Sequence, residues 1–583
     1  MAKDRSSRTR CLFSNRRRTQ LAMTQLNPQQ QEAVAYNEGH LLIVAGPGTG
    51  KTHTITQKIA ALIQKNLAKP EEILAITFTR KTGEELAQRL KKLLPPNSKL
   101  PFAGTFHSFC LQILRANLDE NQRILSKKEQ QEIFKAAGED IELYKRRLAE
   151  LKALDFDGIL TKSLELLNGN AQLTHQLHQK IRYLFVDEYQ DVNEVQYQLI
   201  QKLTGPMTKL CAIGDPDQAI YAFRGADVEH FLRFEKDFPG TKVFRLEENY
   251  RSTPNIVDCA NALIEHNTRR VHKNLRSVAK QGPKISFLPC QSPLSEAIFI
   301  AKEINKLVGG TTMIDHDQKT GHEYDEHCHF TDIAVIYRTN HQGKLLATAL
   351  KKEGLPSQRL AEKSWFMEDE ITTVIQHLMC ALDPGHLPQE LQSQYQGFQQ
   401  QYQTFRQNIG EQNPAQTIKT ILSTFHLEQF EQSENILHLM NFATQFDEQT
   451  GPQNLKFFFD ELKLLQEADA YDPRMEAVTL MSIHASKGLE FPVVFIAGVE
   501  EGILPYLSKT ADVQQNLEEE RRLMYVGLTR AKERVFLTYA KTKRDKIVEP
   551  SKFLKEISDH LMEIQPEKIS NKKIWKKKQL TIW

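Results

Sequence analysis

The sequence predicts an α/β protein built on parallel sheets, and two observations carry that prediction. Residues 41–52, Leu-Leu-Ile-Val-Ala-Gly-Pro-Gly-Thr-Gly-Lys-Thr, run from an apolar stretch through a glycine-rich turn into a Lys-Thr pair. A helical pattern follows with Ile55, Ile59 and Leu62 on one face, so the stretch reads as buried strand, tight loop and helix N-terminus. Further short apolar runs at 73–76, 183–186 and 210–213 each end in polar or acidic residues, as buried strands do when they carry functional groups at their ends.

The glycine-rich turn is a phosphate cradle in composition. Glycine permits the dihedrals by which successive N–H groups, here those of Gly46, Gly48, Thr49 and Gly50, converge on an anion. Lys51 is placed to reach the β- and γ-phosphates of a nucleotide, and the Thr52 hydroxyl to ligate Mg²⁺. The dipole of the following helix adds attraction for the anion. The first position of the pattern is Ala45 rather than glycine, which a small residue without a special dihedral can fill. The loop by itself says only that a nucleoside triphosphate binds.

Composition bounds the rest. A chain of 583 residues is too long for one core and divides into several domains. It contains no run of eighteen apolar residues. Seven scattered cysteines without a CxxC pair argue for a reducing, cytoplasmic setting and against a disulfide framework. A net charge of +3 confines any nucleic-acid surface to a local patch. Residues 1–23 form a basic extension in which Lys3, Arg5, Arg8, Arg10 and Arg16 to Arg18 face one acid, Asp4. It reads as a targeting or nucleic-acid-binding arm, or, the reading preferred, as a stretch ahead of a true start at Met23.

Taken in order, the run at 73–76 leads into Thr77-Phe78-Thr79-Arg80-Lys81, and Gly104-Thr105-Phe106-His107 follows. Hydroxyls, an aromatic and cations at strand ends suit a sugar–phosphate backbone with bases stacked on Phe78. Taken alone, each reads first as a polar strand end capping the next helix. Residues 110–180 are helical in pattern and basic in places, as an inserted subdomain. The run at 183–186 delivers Asp187 and Glu188, the acids expected to hold Mg²⁺ and to orient or deprotonate the attacking water. After 210–213 comes Gly-Asp-Pro-Asp-Gln-Ala-Ile-Tyr-Ala-Phe-Arg-Gly, in which Gln218 can sense a γ-phosphate. Tyr221, Phe223 and Arg224 follow within a few residues as stacking surfaces for unpaired bases.

The stretches AGPGTGKT, TFTRKTGEEL, GTFHSF, VDEYQD, GDPDQAIYAFRGA and LEENYRST, then DIAVIYRTN, VTLMSIHASKGLEFPVVFIAGVEEGILP and EEERRLMYVGLTRAKERVFLTYA, stand in this order. From residue 24 to about 557 the chain resembles the UvrD/Rep/PcrA group of superfamily 1 DNA helicases. The resemblance implies two RecA-like P-loop motor domains, each carrying an inserted, mostly helical subdomain. The expected division is 24–105 with 180–245 (first motor), 106–179 (its insertion), 246–380 with 475–560 (second motor), 381–474 (a shortened insertion) and 561–583 (a basic tail). It implies that Gln30 reads the adenine edge, Tyr250 stacks on the ring and Glu490 binds the ribose. Arg251 and Arg530 are then the cations that reach the γ-phosphate, with ATP and Mg²⁺ as cofactors. The implied single-strand track is Phe78, Thr105, His107, Tyr221, Phe223 and Arg224, continued by Arg338 and His484; a histidine placed like His484 is as often a structural group. The implied partners are single-stranded and tailed duplex DNA, with repair or replication proteins through the tails and a monomer or weak dimer. The implied activity is 3′ to 5′ movement with unwinding, in repair or replication restart.

The chain departs from that pattern in places. Both insertions are short, and the glycine-containing duplex-binding signature is missing from the second. Residues 389–416 are glutamine-rich instead, a polar helix or flexible linker. The segment YAKTKRDKIVEPSKF is short where relatives carry a strand-separating pin, and it has no aromatic at its tip. This favours, as an alternative, a translocase that strips proteins from single strands; a scaffold that binds nucleotide without hydrolysis is the reading from another class. His316, His322, His327, Cys328 and His329 cluster, but at no familiar metal spacing, and a solvent loop is the preferred reading.

Overall fold

The computed structural model describes residues 26–117, 123–125, 127–309, 328–360, 369–382, 389–408, 412–446, 475–507, 513–543 and 546–564, with isolated positions between 455 and 462. The basic stretch at 1–23, His316, His322, His327 and the lysine-rich end therefore lie outside the described residues. The chain forms two compact units. The first comprises residues 1–250, 269–275 and 360–473, and the second residues 251–268, 276–359 and 474–583.

The first unit is organised on a parallel sheet of β1 (Leu41–Ala45), β2 (Ile73–Thr77), β3 (Phe102–Thr105), β4 (Tyr183–Val186), β5 (Lys209–Gly214) and β6 (Lys242–Leu246). Their order in the sheet is β3-β2-β4-β5-β1-β6. β1, β2 and β4 are buried at every position, which is why they read as continuous apolar runs rather than alternating ones. All strands point the same way, so the cradle, Thr77, Thr105, Asp187 and Asp215 emerge at the carboxyl ends, where ligands bind open α/β sheets. Helix α1 (Pro28–Ala35) precedes β1 and α2 (Lys51–Gln64) follows the cradle. Lys58 of α2 is 3% exposed and donates to the carbonyls of Ala33 (3.1 Å) and Tyr36, so the cation satisfies the C-terminal end of α1 and locks the two helices together.

The first insertion is smaller than the helical pattern suggests. Helices Phe106–Asn117 and Phe156–Gly169 bury Phe106, Leu111, Leu114, Ile159 and Leu160 in the core that contains Val44, Leu74 and Leu184. Only the intervening stretch has its own small cluster, Leu125, Leu148 and Ala153. Amphipathic helices announce an apolar face, not the core that will receive it. The second helical region likewise begins before 381: Ile371, Val374 and Leu378 of the helix Asp369–Leu382 share a core with Tyr402, Phe405, Ile418, Phe425 and Leu439. The glutamine-rich stretch is helical, over Gln389–Gly397 and Gln399–Asn408, and buries Tyr402 and Phe405 while Gln392, Gln396 and Gln399 to Gln401 are exposed. Buried Tyr402 meets Nδ1 of His377 at 2.8 Å.

The second unit has its own sheet: β7 (Ile285–Cys290), β8 (Ile333–Tyr337), β9 (Ser357–Arg359), β10 (Val478–Ser482), β11 (Phe491–Ala497), β12 (Ala531–Ala540) and β13 (Met562–Ile564). The order is β9-β10-β8-β11-β12-β7-β13, again parallel throughout. β13 pairs with β7, so the first residues of the expected tail close this sheet. A short antiparallel hairpin pairs Thr542–Lys543 with Lys546–Ile547. Of the histidine–cysteine cluster, Cys328 donates its N–H to Leu307 and packs on the core, while the His329 N–H caps on Asp332. Among the described residues, no helix is long and apolar enough to cross a membrane and no group of side chains could hold a metal by histidine, cysteine and acid alone.

Candidate nucleotide and nucleic-acid site

The cradle is held from three sides. Gly48 and Gly50 have φ of 70° and 82°, in the left-handed region that a side chain disfavours. A Cβ on Gly50 would also stand 2.8 Å from the Gln30 amide. The Thr49 hydroxyl closes the turn on the Gly46 carbonyl at 2.8 Å. Gln30 bridges the start of α1 to the loop: its Oε1 accepts the Asn27 N–H (3.0 Å) and its Nε2 donates to the Thr49 carbonyl (2.9 Å). From the far side, Asn249 donates to the Pro47 carbonyl at 2.7 Å and the Tyr250 N–H to the Gly48 carbonyl at 2.9 Å. Gln30 and Tyr250 thus meet the phosphate loop directly. The Tyr250 hydroxyl donates to Glu248 at 2.6 Å and accepts from Asn27 at 3.0 Å, which fixes its ring. Burial, and then the bond to Glu248, push that phenol up to about 12.

The acids follow β4. Asp187, 6% exposed, accepts the Glu188 N–H at 2.9 Å, and it lines one small pocket with Thr52 and Thr77. The Thr52 hydroxyl and the Asp187 carboxylate are hard oxygen donors of the kind magnesium takes. Glu188 has φ 50° and ψ 44°, a left-handed conformation that a non-glycine residue adopts only when its surroundings impose it. Those surroundings are visible. Its Oε1 is 3.3 Å from Nζ of Lys51, and its Oε2 accepts from Gln190. Gln190 in turn accepts the Asp215 N–H at 2.9 Å, and Asp215 Oδ2 accepts Nε2 of Gln218 at 2.8 Å. Burial would raise the Asp215 carboxyl, but Lys273 and Lys51 together hold it below the usual carboxylate range.

Downstream of Gln218 the chain presents aromatic rings. Phe78 and Tyr221 stack at 5.0 Å, Phe223 lies 6.0 Å from Tyr221, and the Arg224 guanidinium covers both tyrosine (5.4 Å) and phenylalanine (5.6 Å). Phe223 is 65% exposed. The structure therefore gathers Phe78, Tyr221, Phe223 and Arg224 into one cluster. It treats the next pair differently. Thr105 caps the following helix by accepting the Ser108 N–H at 3.2 Å, and His107 packs edge-on against Phe156. Burial lowers the His107 imidazole to about 4 against a hydrogen bond to the Phe156 backbone, so near neutral pH the ring is uncharged and fixed to a neighbouring helix.

In the second unit, Arg251 donates to Glu490 at 2.6 Å and to the Thr529 carbonyl at 3.2 Å, and Lys532 flanks the same carboxylate at 2.8 Å. Burial pushes Glu490 up, yet Arg251 and Lys532 outweigh it and hold the carboxyl at about 2. Arg530 is 2% exposed and donates to the carbonyls of Val526 (3.0 Å) and Leu489 (3.2 Å). Arg338 forms a two-pronged pair with buried Glu520, 2.9 and 3.2 Å, beneath Tyr506. His484 opens the short turn after β10, half-buried.

Sequence reasoning passed over Asn27, Gln190, Asn249, Arg270 and Lys273. Asn27 carried a legible signal, an Asn-Pro pair at a helix start. Gln190 and Asn249 stand inside the stretches VDEYQD and LEENYRST, whereas Arg270 and Lys273 act through tertiary contacts that leave no local pattern.

The parallel sheet, glycine cradle and paired acids define a P-loop nucleotide-binding protein with a second α/β unit. Comparison with known proteins narrows this. Residues 26–142 and 119–239 match the UvrD/REP helicase N-terminal domain, and residues 244–386 and 384–542 the UvrD-like helicase C-terminal domain. The chain is 31% identical to the ATP-dependent DNA helicase PcrA of Bacillus subtilis over 93% of its own length and 87% of that protein's. It is 30% identical to the PcrA of Staphylococcus aureus strain Mu50 at the same coverage, and 30% to that of Staphylococcus epidermidis over 92% and 87%. The chain belongs to the UvrD/REP helicase family.

Proposed function

We propose that the chain is an ATP-dependent DNA helicase that moves 3′ to 5′ on single-stranded DNA and displaces the complementary strand, in repair or replication restart. The observation that carries this reading is the adjacency of Gln218 to the Tyr221–Phe223–Arg224 cluster: the loop that bonds Asp215 beside the catalytic acids and the partly exposed ring cluster are one short segment. A change at Gln218 is passed to the rings over three residues of backbone. In this reading Lys51 binds the β- and γ-phosphates, Glu188 takes the proton of the attacking water, and Arg251 and Arg530 neutralise charge on the transferred phosphoryl group. Gln30, Tyr250 and Glu490 hold the nucleoside. Thr52 and Asp187 hold Mg²⁺, which when bound screens the phosphate oxygens.

The two motors are read as the two parallel sheets with their flanking helices, the stretch between the helices Phe106–Asn117 and Phe156–Gly169 being the first insertion and the helical region that starts at Asp369 the second. The test is strand displacement on duplexes with a 3′ or a 5′ single-stranded tail, with ATP turnover followed in the same tube. Displacement from the 3′ tail alone is expected. Strong DNA-stimulated turnover without displacement would instead establish a translocase that clears proteins from single strands. The two-residue strands of the hairpin at 542–547, with Ile547 at 84% exposure rather than an aromatic, are what favour that second reading.

A further inference from the structure

Residues 269–275 belong to the first unit, although the chain on both sides of them, 251–268 and 276–359, belongs to the second. This short segment is fastened along its length. Arg269 Nε pairs with Glu229 at 3.0 Å, Arg270 with Asp217 at 2.9 Å, and the Asn274 N–H donates to Glu247 at 2.9 Å. Leu275 lies against Gly46 of the cradle so closely that a Cβ there would meet its side chain at 2.5 Å. At the centre, Lys273, whose side chain is 1% exposed, places its ammonium on Asp215 Oδ1 at 2.6 Å and on Asp217, both acids being fully buried.

Burying an ammonium between two carboxylates is a poor way to gain stability, because desolvation offsets most of the attraction; its attested use is to fix one arrangement. Here the arrangement it fixes runs to the catalytic acids. Asp215 takes Lys273 on Oδ1 and Gln218 on Oδ2, its N–H meets Gln190, and Gln190 holds Glu188 opposite Lys51. Each link is a hydrogen bond or ion pair between groups whose other sides are already committed.

We infer that Lys273 is a positioning residue for ATP hydrolysis, and that the segment 269–275 is a strap whose docking sets Gln218 and Glu188 in their working geometry. The strap is carried on the chain of the second unit. Its seating on Asp215 and Asp217 therefore makes the hydrolytic acid answer to the state of that unit through the covalent chain. The inference rests on Glu188 as the water-activating acid. A displacement of the order of 1 Å at such a group costs about 10²-fold in rate, whereas the hydrogen bonds that brace the cradle come from Gln30, Asn249 and Tyr250 and are not made through Lys273.

The full-length chain is assayed for DNA-stimulated turnover, KM for ATP, affinity for a fluorescent ATP analogue and melting temperature. The wild type is compared with Lys273→Met, Lys273→Arg, the charge-balanced Lys273→Met/Asp215→Asn, which leaves the Arg270–Asp217 pair intact, and Arg269→Ala. Lys273→Met is expected to lower kcat about tenfold or more, with KM and analogue affinity within about twofold of wild type. Lys273→Arg should recover most of that loss. The double variant should melt like the wild type and still turn over slowly, while Arg269→Ala, which loosens one end of the strap at a part-buried pair with Glu229, should lower kcat less than Lys273→Met does. Full kcat in Lys273→Met, or recovery of kcat in the double variant, would overturn the strap. So would losses of kcat and KM that merely follow the melting temperature. A wild type that hydrolyses no ATP would instead overturn the functional reading on which the inference stands.

Discussion

The two units carry their functional groups in opposite states. In the first, the protein's own groups brace the nucleotide site on several sides. The cradle is braced by Gln30, Asn249 and the Tyr250 backbone, Glu188 is held in a left-handed conformation, and Lys51 already faces it. In the second, the cations assigned to the phosphate are occupied at home, Arg251 on Glu490 and Arg530 on backbone carbonyls. The DNA-facing candidates show the same contrast: an open ring cluster around Phe223 in the first unit, and Arg338 paired to Glu520 in the second. A preorganised site recognises; cations that must exchange partners make hydrolysis conditional. If Arg251 and Arg530 serve the transferred phosphoryl group as proposed, they must first leave these partners, and hydrolysis becomes conditional on that exchange.

The largest effects should come from the preassembled half. Lys51→Ala and Glu188→Gln are each expected to reduce DNA-stimulated ATP turnover by 10²-fold or more, on the order of what a general base contributes. Glu188→Gln should still bind a fluorescent ATP analogue, since it leaves the cradle intact. Loss of nucleotide binding in that variant would mean the acid builds the pocket rather than activating water, and the contrast between the units would lose its chemical basis.

Next in size is Arg251→Ala. If its charge is delivered only during turnover, kcat should fall by about 10²-fold or more while nucleotide affinity in the resting protein stays within a fewfold, because a cation of this kind stabilises the transition state. An equal loss in resting affinity and in kcat would show that Arg251 engages the nucleotide from the start, and would erase the distinction. Glu490 offers an internal check. Its carboxyl is held low by Arg251 and Lys532, so the ion cluster supports the second unit above the ordinary carboxylate range and fails as pH falls towards about 2.

Smaller again are the contacts to ring systems. Tyr250→Ala should raise KM for ATP more than it lowers kcat, since the ring contributes ground-state binding. Phe223→Ala should weaken single-stranded DNA by about 1–3 kcal/mol, the usual range for one stacked base. That loss would be read as a higher DNA concentration for half-maximal ATPase stimulation. An unchanged half-maximal concentration removes Phe223 from the track.

The first unit was far more legible in sequence than the second, for a physical reason. Its functions are tied to backbone geometry: glycines in a turn, acids at strand ends, hydroxyls at helix starts. Such requirements write themselves locally, and Gly48, Gly50, Thr52, Asp187 and Glu188 could be placed from spacing alone. The insertions were less legible, because the apolar faces of 106–117 and 156–169 do not say that they join the sheet's core. The strap was invisible. Nothing near Lys273 distinguishes it from a solvated lysine until Asp215 and Asp217 are brought to it by the fold. His107 shows the converse, a residue whose position resembles a contact residue and whose ring is fixed to Phe156.

The finest test concerns a group of the second unit that no reading of the reaction uses. Glu296 is buried, and its Oε1 accepts the Gly498 N–H at 2.9 Å and the Thr538 hydroxyl at 2.6 Å. Burial pushes its carboxyl up to about 7; the bonds to Thr538 and Gly498 and the charge of Lys543 oppose the shift, and nearby Glu500 adds to it. The folded state therefore keeps a proton that the unfolded chain has released. That contribution is complete below about 4.5, and stability declines as pH rises through about 7. In Glu296→Gln the amide oxygen still accepts both hydrogen bonds, its NH₂ group can turn towards Glu500, and nothing titrates. The variant should match the wild type near pH 5 and exceed it at pH 8, by at most about 3 kcal/mol and by less where water relaxes around the site. Turnover per folded molecule should be unchanged. Melting curves whose difference does not vary between pH 5 and 8 would show that Glu296 is ionised in the folded protein, with the buried charge balanced by Lys543.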